Sequence, residues 1–439
     1  MTARFSSINR FPKFKSAIAL FAVSLATVLL SLAQDTESPF SEASASAFEE
    51  LPELKASEIL KPEFLKGPHH TVRESVLTFS GANQFVIDSD FGVFQADGNA
   101  MLVRRVKEIY AIALLKDVSR GDEFKNSLVA AAKSPLNAAK NLVNDPVKAV
   151  SNVPKGIMKF MGRAGDTIKG IGKKESGDNP ESSNMQQIIG YSNTKRKIAL
   201  SMGIDPYSTN AVLQKELDSV AWASWAGGFA FTAATFPISG PVGAALTVTN
   251  VSSGLDKLLK EKSPEELKQI NRASLRAMGV TSKDVDRLLS NSAFSPSQVT
   301  EFVLHLKALD GVANRGAFVR SAAERSSSEA DAIFCLQTAA LMSQVHQDEK
   351  PLARITMLVD FPVCIAKDGT VILAMQWDYA AWTAGAASFA AAVEKLASES
   401  GEEKPIMVVL SGQMSGLLQQ ELQKRNFLVK DRATPGPLN

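Results

Sequence analysis

The chain has 439 residues, of which 45% are apolar and 7% aromatic, and its formal net charge is +2. This length and apolar content allow one large core or two to three smaller ones. The composition excludes an intrinsically disordered chain, a collagen-like repeat and a disulfide-dense mini-protein. The near-neutral charge argues against a strongly basic nucleic-acid-binding protein, so we expect no nucleic-acid partner.

The first 33 residues have the pattern of an export signal. Four basic residues precede a largely apolar run without charges over 17–30; they are Arg4, Arg10, Lys13 and Lys15. Ser31-Leu32-Ala33 then supplies the small residues that a signal peptidase needs. We expect cleavage after Ala33 and a periplasmic or extracellular protein. The alternative is an uncleaved anchor, because the apolar run approaches the length that spans a bilayer.

The two cysteines, Cys335 and Cys364, are 29 residues apart and form no C-x-x-C motif. An oxidising compartment would permit a disulfide between them. The alternative is two buried free thiols. The adjacent His69 and His70 have no further ligand at metal-binding spacing, so we interpret them as part of a solvated loop and expect no metal or cofactor.

The N-terminal part divides into a tether and a small β/α segment. Residues 34–73 are acidic, rich in Ser and interrupted by four prolines, which is typical of a flexible tether. Residues 74–169 begin with short β-type runs that predict a meander of two or three strands. Asn99 can cap the helix that follows over 100–118, and a second helix is predicted over 122–133. The charged residues at 104–108 fall mostly on the face of the first helix opposite its apolar stripe.

Residues 133–174 carry nine Lys or Arg and two Asp, a local charge of +7. Apolar residues recur between the charges, and three prolines divide the stretch into short amphipathic pieces. This pattern is typical of a segment that lies on an anionic membrane surface. The candidate membrane-surface residues are Lys148, Lys155, Lys159, Arg163, Ile157, Met158 and Met161. The alternative is a solvated connection that wraps on the core.

A polar linker is predicted over 170–186 and a helical domain over 187–348. Ser263-Pro264 and Ser295-Pro296 are predicted helix starts. The domain contains 37 consecutive uncharged residues, Ser219 to Leu255, with a turn at 237–241. We interpret these residues as a hairpin of two apolar helices buried among other helices, because arms of about 27 and 21 Å are short of a ~30 Å hydrocarbon core. The alternative is a hairpin that inserts into a membrane.

The last segment, 349–439, predicts a compact α/β unit of the order β-hairpin-α-β-α-β. Its predicted strands lie at 355–359, 363–365, 371–375, 406–410 and 427–429, and its helices at 384–398 and 414–425. A tight turn is expected at Lys367-Asp368-Gly369. The predicted fold class is therefore α+β and predominantly helical: a small N-terminal β-meander with helices, a helical middle with a buried apolar hairpin, and this C-terminal unit.

Two neighbouring features of the C-terminal unit can form a ligand rim. Clustered aromatic and acidic groups line many carbohydrate sites, and a strand–turn–helix junction presents backbone N–H groups to an anion. The candidate rim residues are Trp377, Asp378, Tyr379, Trp382, Ser411 and Ser415. The alternative is that they close the core and cap helices. A serine nucleophile here would need His305 or His346 as its base.

No catalytic motif is present, so the leading interpretation is an exported, non-enzymatic protein. We expect it to act by interaction with a protein partner, or with an anionic membrane surface through 133–174. One alternative is a membrane-active protein that inserts the 219–255 hairpin. The other is a hydrolase that uses the C-terminal α/β unit.

Overall fold

The computed structural model describes residues 48–133, 180–232, 252–399, 401, 403–434 and 436–438. Over these residues the chain has the predicted α+β fold, with an N-terminal sheet, a helical middle and a C-terminal sheet. Several predicted features lie outside the described residues: the signal segment 1–33, tether residues 34–47, the membrane-surface candidates within 134–174, linker residues 170–179, and residues 233–251 of the apolar hairpin with its turn at 237–241.

The N-terminal part is a six-stranded antiparallel sheet. Its strands are β1 (Leu54–Lys55), β2 (Lys66–Gly67), β3 (His70–Val72), β4 (Ser75–Phe79), β5 (Ala82–Ser89) and β6 (Gly92–Asp97). The long β5 pairs with β6 along one edge, while β4 and β3 share its other edge. The predicted meander is thus confirmed as β4–β5–β6, and the sheet is larger than predicted.

Residues 54–72 are ordered, so the flexible tether predicted to extend to residue 73 is wrong over this range. Besides β1–β3, they form two short helices, α1 (Ala56–Ile59) and α2 (Pro62–Leu65). Ala56 and Phe64 are fully buried in one core with Leu102 and Val106. The solvated-loop interpretation of His70 is also wrong, because His70 is buried in β3 with its Nε2 3.2 Å from the Phe64 carbonyl oxygen.

Ten further helices run to the end of the helical middle. They are α3 (Asn99–Arg120), α4 (Asp122–Lys133), α5 (Pro180–Ser201), α6 (Ala211–Gly227), α7 (Ser252–Glu261), α8 (Pro264–Ala277), α9 (Ser282–Ser290), α10 (Pro296–Ala308), α11 (Arg315–Arg325) and α12 (Glu329–Asp348). The predicted starts of α8 and α10 are confirmed, each with a capping box. Helix α5 begins inside the predicted linker 170–186, whose first ten residues lie outside the described part.

The first arm of the apolar hairpin is helix α6, and neighbouring helices enclose it. Trp222 is 6% exposed, and Trp225 and Phe229 pack against the same core. The ring of Phe229 meets that of Phe124 of α4 edge-on, with 5.5 Å between centroids. The predicted burial is therefore confirmed for residues 219–227 of this arm, but the helix ends at Gly227, before the predicted arm does, with Gly228 in a left-handed conformation. None of the described helices has both the length and the apolar character that a membrane crossing requires.

The C-terminal unit contains a five-stranded sheet of order β13-β11-β9-β8-β7. These strands are β7 (Leu352–Leu358), β8 (Phe361–Ala366), β9 (Val371–Met375), β11 (Ile406–Leu410) and β13 (Leu428–Lys430). A short parallel pair is formed by β10 (Tyr379–Ala380) and β12 (Gln413–Met414), and two helices complete the unit: α13 (Ala384–Ser398) and α14 (Gly416–Lys424). Strands β9, β11 and β13 are parallel, so β9 and β11 end at the same edge.

This sheet is buried on both faces, as the continuous apolar sequence of β9 requires. Ile372 and Ala374 lie in one core with helices α10 and α12, whereas Val371, Leu373 and Met375 lie in the core beneath α13 and α14. One core therefore crosses the predicted domain boundary between residues 348 and 349. It fixes the helical middle against the C-terminal sheet.

The two cysteines lie in that shared core. Cys335 of α12 and Cys364 of β8 are buried and free, so the disulfide candidate is wrong and the free-thiol alternative holds. Burial raises the pKa of both thiols to about 12. Both thiols therefore stay protonated near neutral pH and act as small apolar groups.

Close packing of α4 on α6 can be tested at Gly227. A Cβ atom there would lie 1.9 Å from the backbone oxygen of Ser127. We expect Gly227→Ala to lower the free energy of unfolding by about 1–3 kcal/mol, because the two helices must separate. In contrast, a Cβ at Gly254 of α7 meets no atom of the described residues within 4 Å. Gly254→Ala should therefore raise the free energy of unfolding by roughly 0.5–1 kcal/mol. Urea denaturation measures both, and equal effects would contradict the close approach.

Candidate functional site

A cavity of about 630 Å³ lies where the three parts of the fold meet. Its walls come from α3, α7, α10 and α12, from the turn after α5, from the residues that follow β9 and β11, and from the C-terminal segment 434–437. Apolar and polar side chains both line it. The cavity thus depends on the packing of elements more than 300 residues apart in sequence.

One end of the cavity is the carboxyl edge of the parallel strands. Gln376 directly follows β9 and Ser411 directly follows β11, and both line the cavity. Ligands of α/β proteins bind at this edge, where the loops after the strands meet. The C-terminal segment is held across it, since the Ala433 N–H donates to the Leu410 carbonyl oxygen at 3.0 Å.

Asp378 connects this edge to the N-terminal sheet and to α3. Its Oδ2 accepts the backbone N–H of Asn83 at 3.0 Å and that of Asn99, the first residue of α3, at 2.9 Å. A carboxylate at a helix N-terminus also interacts favourably with the helix dipole. The prediction that Asn99 caps this helix is therefore wrong: the cap is Asp378, 279 residues away.

The environment of Asp378 favours its protonated form more than usual. The side chain is almost completely enclosed, and burial raises its pKa to about 7 against the lowering effect of the two N–H donors. Oδ1 has no donor among the described residues, although the residue lines the cavity. Asp378 thus has one oxygen fixed by the protein and one available to a ligand.

The other rim candidates divide between the cavity and structural roles. Ser411 lines the cavity, and its hydroxyl donates to the Trp377 carbonyl oxygen at 2.9 Å. The hydroxyl of Ser415 donates to Glu49 and accepts the Leu418 N–H, so it caps α14. The three aromatic candidates have structural positions: Trp377 packs on Gly81, Tyr379 lies in β10, and Trp382 is buried beside Arg425. Only Asp378 and Ser411 line the cavity.

The histidines proposed as bases for Ser411 and Ser415 are not hydrogen-bonded to them. His346 Nδ1 accepts the Leu352 N–H at 3.0 Å, which orients its ring toward the backbone. His305 lines the same cavity as Ser411 but makes no hydrogen bond to it. The structure therefore forms no serine–histidine pair from these residues.

A group of charged side chains lines the part of the cavity next to α3 and α10. Arg104 and Asp205 form an ion pair at 3.1 Å, and Ser297 donates to the same Asp205 oxygen. Lys107 Nζ lies 3.5 Å from the Gly203 carbonyl oxygen, which is long for a hydrogen bond. Burial and the charge of Arg104 lower the pKa of Lys107 to about 8.

Glu301 and His305 lie one turn apart on α10 and face this group. His305 Nε2 is 4.0 Å from Glu301 Oε1, beyond hydrogen-bond distance. Burial lowers the pKa of His305 to about 4, so the imidazole is neutral at pH 7. Burial also raises the pKa of Glu301 to about 7, opposed by Arg104 and reinforced by the charges of Asp205 and Asp256.

The surroundings leave both groups without partners. His305 is 1% exposed, and its Nδ1 has no hydrogen-bond partner within the described part of the chain. Glu301 keeps 27% of its side-chain exposure while it lines the cavity, and no donor among the described residues reaches it. Buried polar groups are nearly always hydrogen-bonded, so His305, left open beside a cavity, indicates a place for a ligand.

The sequence interpretation missed this group because it assigned the charged face of α3 to solvent. That face is covered. Glu108 is 1% exposed at its side chain and binds Arg105, Ser208 and Asn210. The signal that could have revealed it is the turn 205–210, in which five of six side chains carry a hydrogen-bonding group.

Comparisons with protein-family models, with curated proteins and with solved structures each gave no match. Over the described residues, no three His, Cys, Asp or Glu side chains are grouped so that they could hold a metal ion. The functional argument therefore rests on the cavity and its side chains.

The raised pKa of Asp378 gives a testable pH dependence. Between about pH 4 and 7 the folded protein holds a proton on Asp378 that the unfolded chain, with a pKa near 3.8, has lost. The stability contributed by this residue therefore falls as the pH rises through that window. The free energy of unfolding of Asp378→Asn minus that of the wild type should increase by up to about 1.4 kcal/mol per pH unit there and level off above pH 7. Urea denaturation at several pH values measures this difference. A difference that is constant from pH 5 to 8 would contradict it.

Proposed function

We propose that this protein is an exported binding protein that holds a small polar solute in the central cavity. The observation that carries the proposal is His305, which is 1% exposed, lines the cavity and forms no hydrogen bond with any described residue. An unpaired buried polar group costs about 1–3 kcal/mol. A solute that supplies the missing hydrogen bond therefore gains affinity at this position.

The size and position of the cavity support the proposal. Its volume of about 630 Å³ lies within the roughly 300–1,000 Å³ of small-molecule sites. It lies at the carboxyl edge of β9 and β11, where α/β proteins bind ligands. Export is part of the proposal on the strength of the sequence at 1–33.

Binding is favoured over hydrolysis by the hydrogen bonds of the candidate nucleophiles. The Ser411 hydroxyl proton is directed to the Trp377 carbonyl oxygen, and Ser415, whose hydroxyl donates to the Glu49 carboxylate, does not line the cavity. A nucleophile needs a base within hydrogen-bond reach. The unpaired groups of the cavity therefore support recognition of a solute better than attack on one.

The cavity can be filled at Ala340, a partly exposed residue of α12 that lines it. We expect the wild type, dialysed against a defined mixture of amino acids, diamines, dicarboxylates, sugars and nucleosides, to enrich one class of solute. Ala340→Phe should reduce this enrichment at least tenfold, because the ring occupies the solute's space. Mass spectrometry of the dialysed protein measures the enrichment.

Ala330→Phe is the matched control, because Ala330 lies on the same helix and does not line the cavity. It should enrich the solute as the wild type does. Thermal unfolding shows that both variants are folded. The proposal fails if the wild type enriches none of these classes, or if both phenylalanine variants lose enrichment equally.

The basic stretch 133–174 favours a second candidate function, binding to an anionic membrane surface. The observation is its local charge of +7. Helices α4 and α5, which precede and follow the stretch in sequence, both pack on α6. Each surface Lys or Arg contributes on the order of 1 kcal/mol to binding an anionic membrane.

A variant that replaces Lys148, Lys155, Lys159 and Arg163 with Gln tests this second candidate. We expect the wild type to co-sediment with vesicles containing one third phosphatidylglycerol at low salt and to be released at 0.5 M NaCl. The variant should stay in the supernatant at low salt, and neither protein should bind neutral vesicles. Equal sedimentation of both proteins would exclude this role for the four residues.

A further inference from the structure

We propose that Lys107 is a nucleophilic amine that forms a Schiff base with an aldehyde solute in the cavity. This inference rests on the proposed function and gives its solute a chemical class. It is argued from the position of Lys107 on α3, from the lack of a counter-ion at its amine, and from the cation beside it.

Lys107 belongs to the face of α3 that lines the cavity. Ala100, Val103 and Arg104 line it too, and Lys107 follows Arg104 by three residues and Val103 by four. Residues at these spacings lie on one face of a helix. The same helix is fixed at its first residue by the Asp378 carboxylate. A rigid element of the fold therefore presents the amine of Lys107 to the cavity.

The amine of Lys107 has no counter-ion among the described residues. Its only polar contact there is the Gly203 carbonyl oxygen at 3.5 Å, which is long for a hydrogen bond. Lys116, further along the same helix, instead forms an ion pair with Glu216 at 3.0 Å. An ion pair stabilises the protonated amine, which has no electron pair for attack. Lys107 differs from Lys116 in lacking that stabilisation.

Acidic residues that line the cavity with Lys107 are bound to other cations. Glu108, the next residue of α3, pairs with Arg105 at 2.6 Å, and Asp205 pairs with Arg104 at 3.1 Å. Asp256 of α7 forms no ion pair with a described residue and acts on Lys107 only through its charge. The protein therefore leaves the amine of Lys107 open to a solute.

Arg104 favours the neutral form of this amine. It lies one turn before Lys107 on the same face of α3, and Asp205 holds its guanidinium in place. A fixed positive charge beside a half-buried amine disfavours the ammonium form. Burial and Arg104 lower the pKa of Lys107 to about 8, against the opposing charge of Asp256. A lysine that is desolvated or lies next to another cation is a known type of activated nucleophile.

A neutral lysine amine attacks the carbonyl carbon of an aldehyde. Nζ donates its electron pair to that carbon, one N–H proton moves to the former carbonyl oxygen, and a carbinolamine results. The hydroxyl group then leaves with the second N–H proton as water, and a C=N double bond remains. The products are an imine and one water, so the step needs neither an oxidant nor a reductant.

Reversible attachment favours an aldehyde over an ester as the solute. Water returns an imine to the amine and the aldehyde, so the binding protein is recovered when the solute leaves. An acyl group transferred from an ester would instead remain on the lysine as a stable amide. Leu255 and Leu259 of α7 are among the apolar residues that line the cavity, so it can also take the hydrocarbon part of an aldehyde out of water.

Reductive labelling of the full protein at pH 7 tests the proposal. The probe is benzaldehyde with sodium cyanoborohydride, which reduces an imine to a stable benzylamine. Peptide mass spectrometry then gives the initial rate at each lysine. We expect Lys107 to be labelled at least tenfold faster than Lys260, an exposed residue of α7 outside the cavity, because more of its amine is neutral. Equal rates at the two lysines would overturn the proposal.

Lys107→Arg keeps the positive charge at this position and removes the nucleophile. Fast labelling should disappear in this variant, while Lys260 should react as in the wild type. Thermal unfolding shows whether the variant is folded. Fast labelling that persists at another lysine would overturn the assignment to Lys107.

Should the variant fail to fold, the pH dependence of the wild type gives an independent readout. The charged and titratable groups around Lys107 in the cavity are Arg104, Glu108, Asp205, Asp256, Glu301 and His305. The ratio of the labelling rate of Lys107 to that of Lys260 should fall at least tenfold from pH 7 to pH 10, because Lys260 becomes neutral only at the upper end. The ratio cancels the pH dependence of the reductant. A ratio that stays constant would overturn the activated amine.

The dialysis experiment separates the two levels of the proposal. A solute enriched on dialysis, together with equal labelling of Lys107 and Lys260, overturns the aldehyde class and leaves the binding function standing. Fast labelling of Lys107 without enrichment of any solute overturns the binding function and, with it, the class of its solute.

Discussion

The carboxylate of Asp378 is the constraint on which the arrangement of the three parts depends. Asp378 lies three residues after the end of β9. Its carboxylate accepts backbone hydrogen bonds from the N-terminal sheet and from the first turn of α3. The Asp378 N–H donates in turn to the Gly81 carbonyl oxygen at 2.7 Å. Because one residue contacts the sheet and the helix through its backbone and its side chain, α3 is held at a fixed position over the C-terminal sheet. The cavity is the space that this position leaves between α3, α10 and α12.

The elements that the sequence predicted best are those whose signals are local. Apolar period and capping residues predicted α4, α13 and β11 with the bounds they have, and each of these signals extends over fewer than twenty residues. Residues 54–72 gave the opposite result. Their Pro, Ser and acidic content indicates disorder, but Ala56 and Phe64 are buried against a helix some forty residues later. Average composition does not show whether a few apolar side chains will find a partner so far along the chain.

The difference between local signals and long-range contacts also explains which site residues the sequence revealed and which it did not. Asp378 was recognised as the acidic member of an aromatic cluster, and Ser411 because it directly follows an apolar strand at a strand–turn–helix junction. Arg104, Glu301 and His305 gave no comparable signal. Each lies on a helix whose charged face is ordinary for a solvent-exposed surface, and only the packing of α3 beside α10 and α12 encloses those faces. That packing depends on contacts between residues about 200 positions apart. The spacing of apolar residues within one helix does not show which distant helix it will contact.

Two glutamates that line the cavity show why the open groups point to a ligand. Glu108 receives hydrogen bonds from Arg105, Ser208 and Asn210, so this fold can satisfy an enclosed carboxylate completely. Glu301, on the neighbouring wall, receives none from the described residues and lies beside a histidine that also has none. An unpaired buried group such as His305 Nδ1 costs about 1–3 kcal/mol of stability. Both glutamates line the cavity, and they differ in that side chains of the protein donate to Glu108, whereas no described residue donates to Glu301. A preformed site therefore lowers the stability of the free protein. The bound solute offsets this loss by forming the missing hydrogen bond.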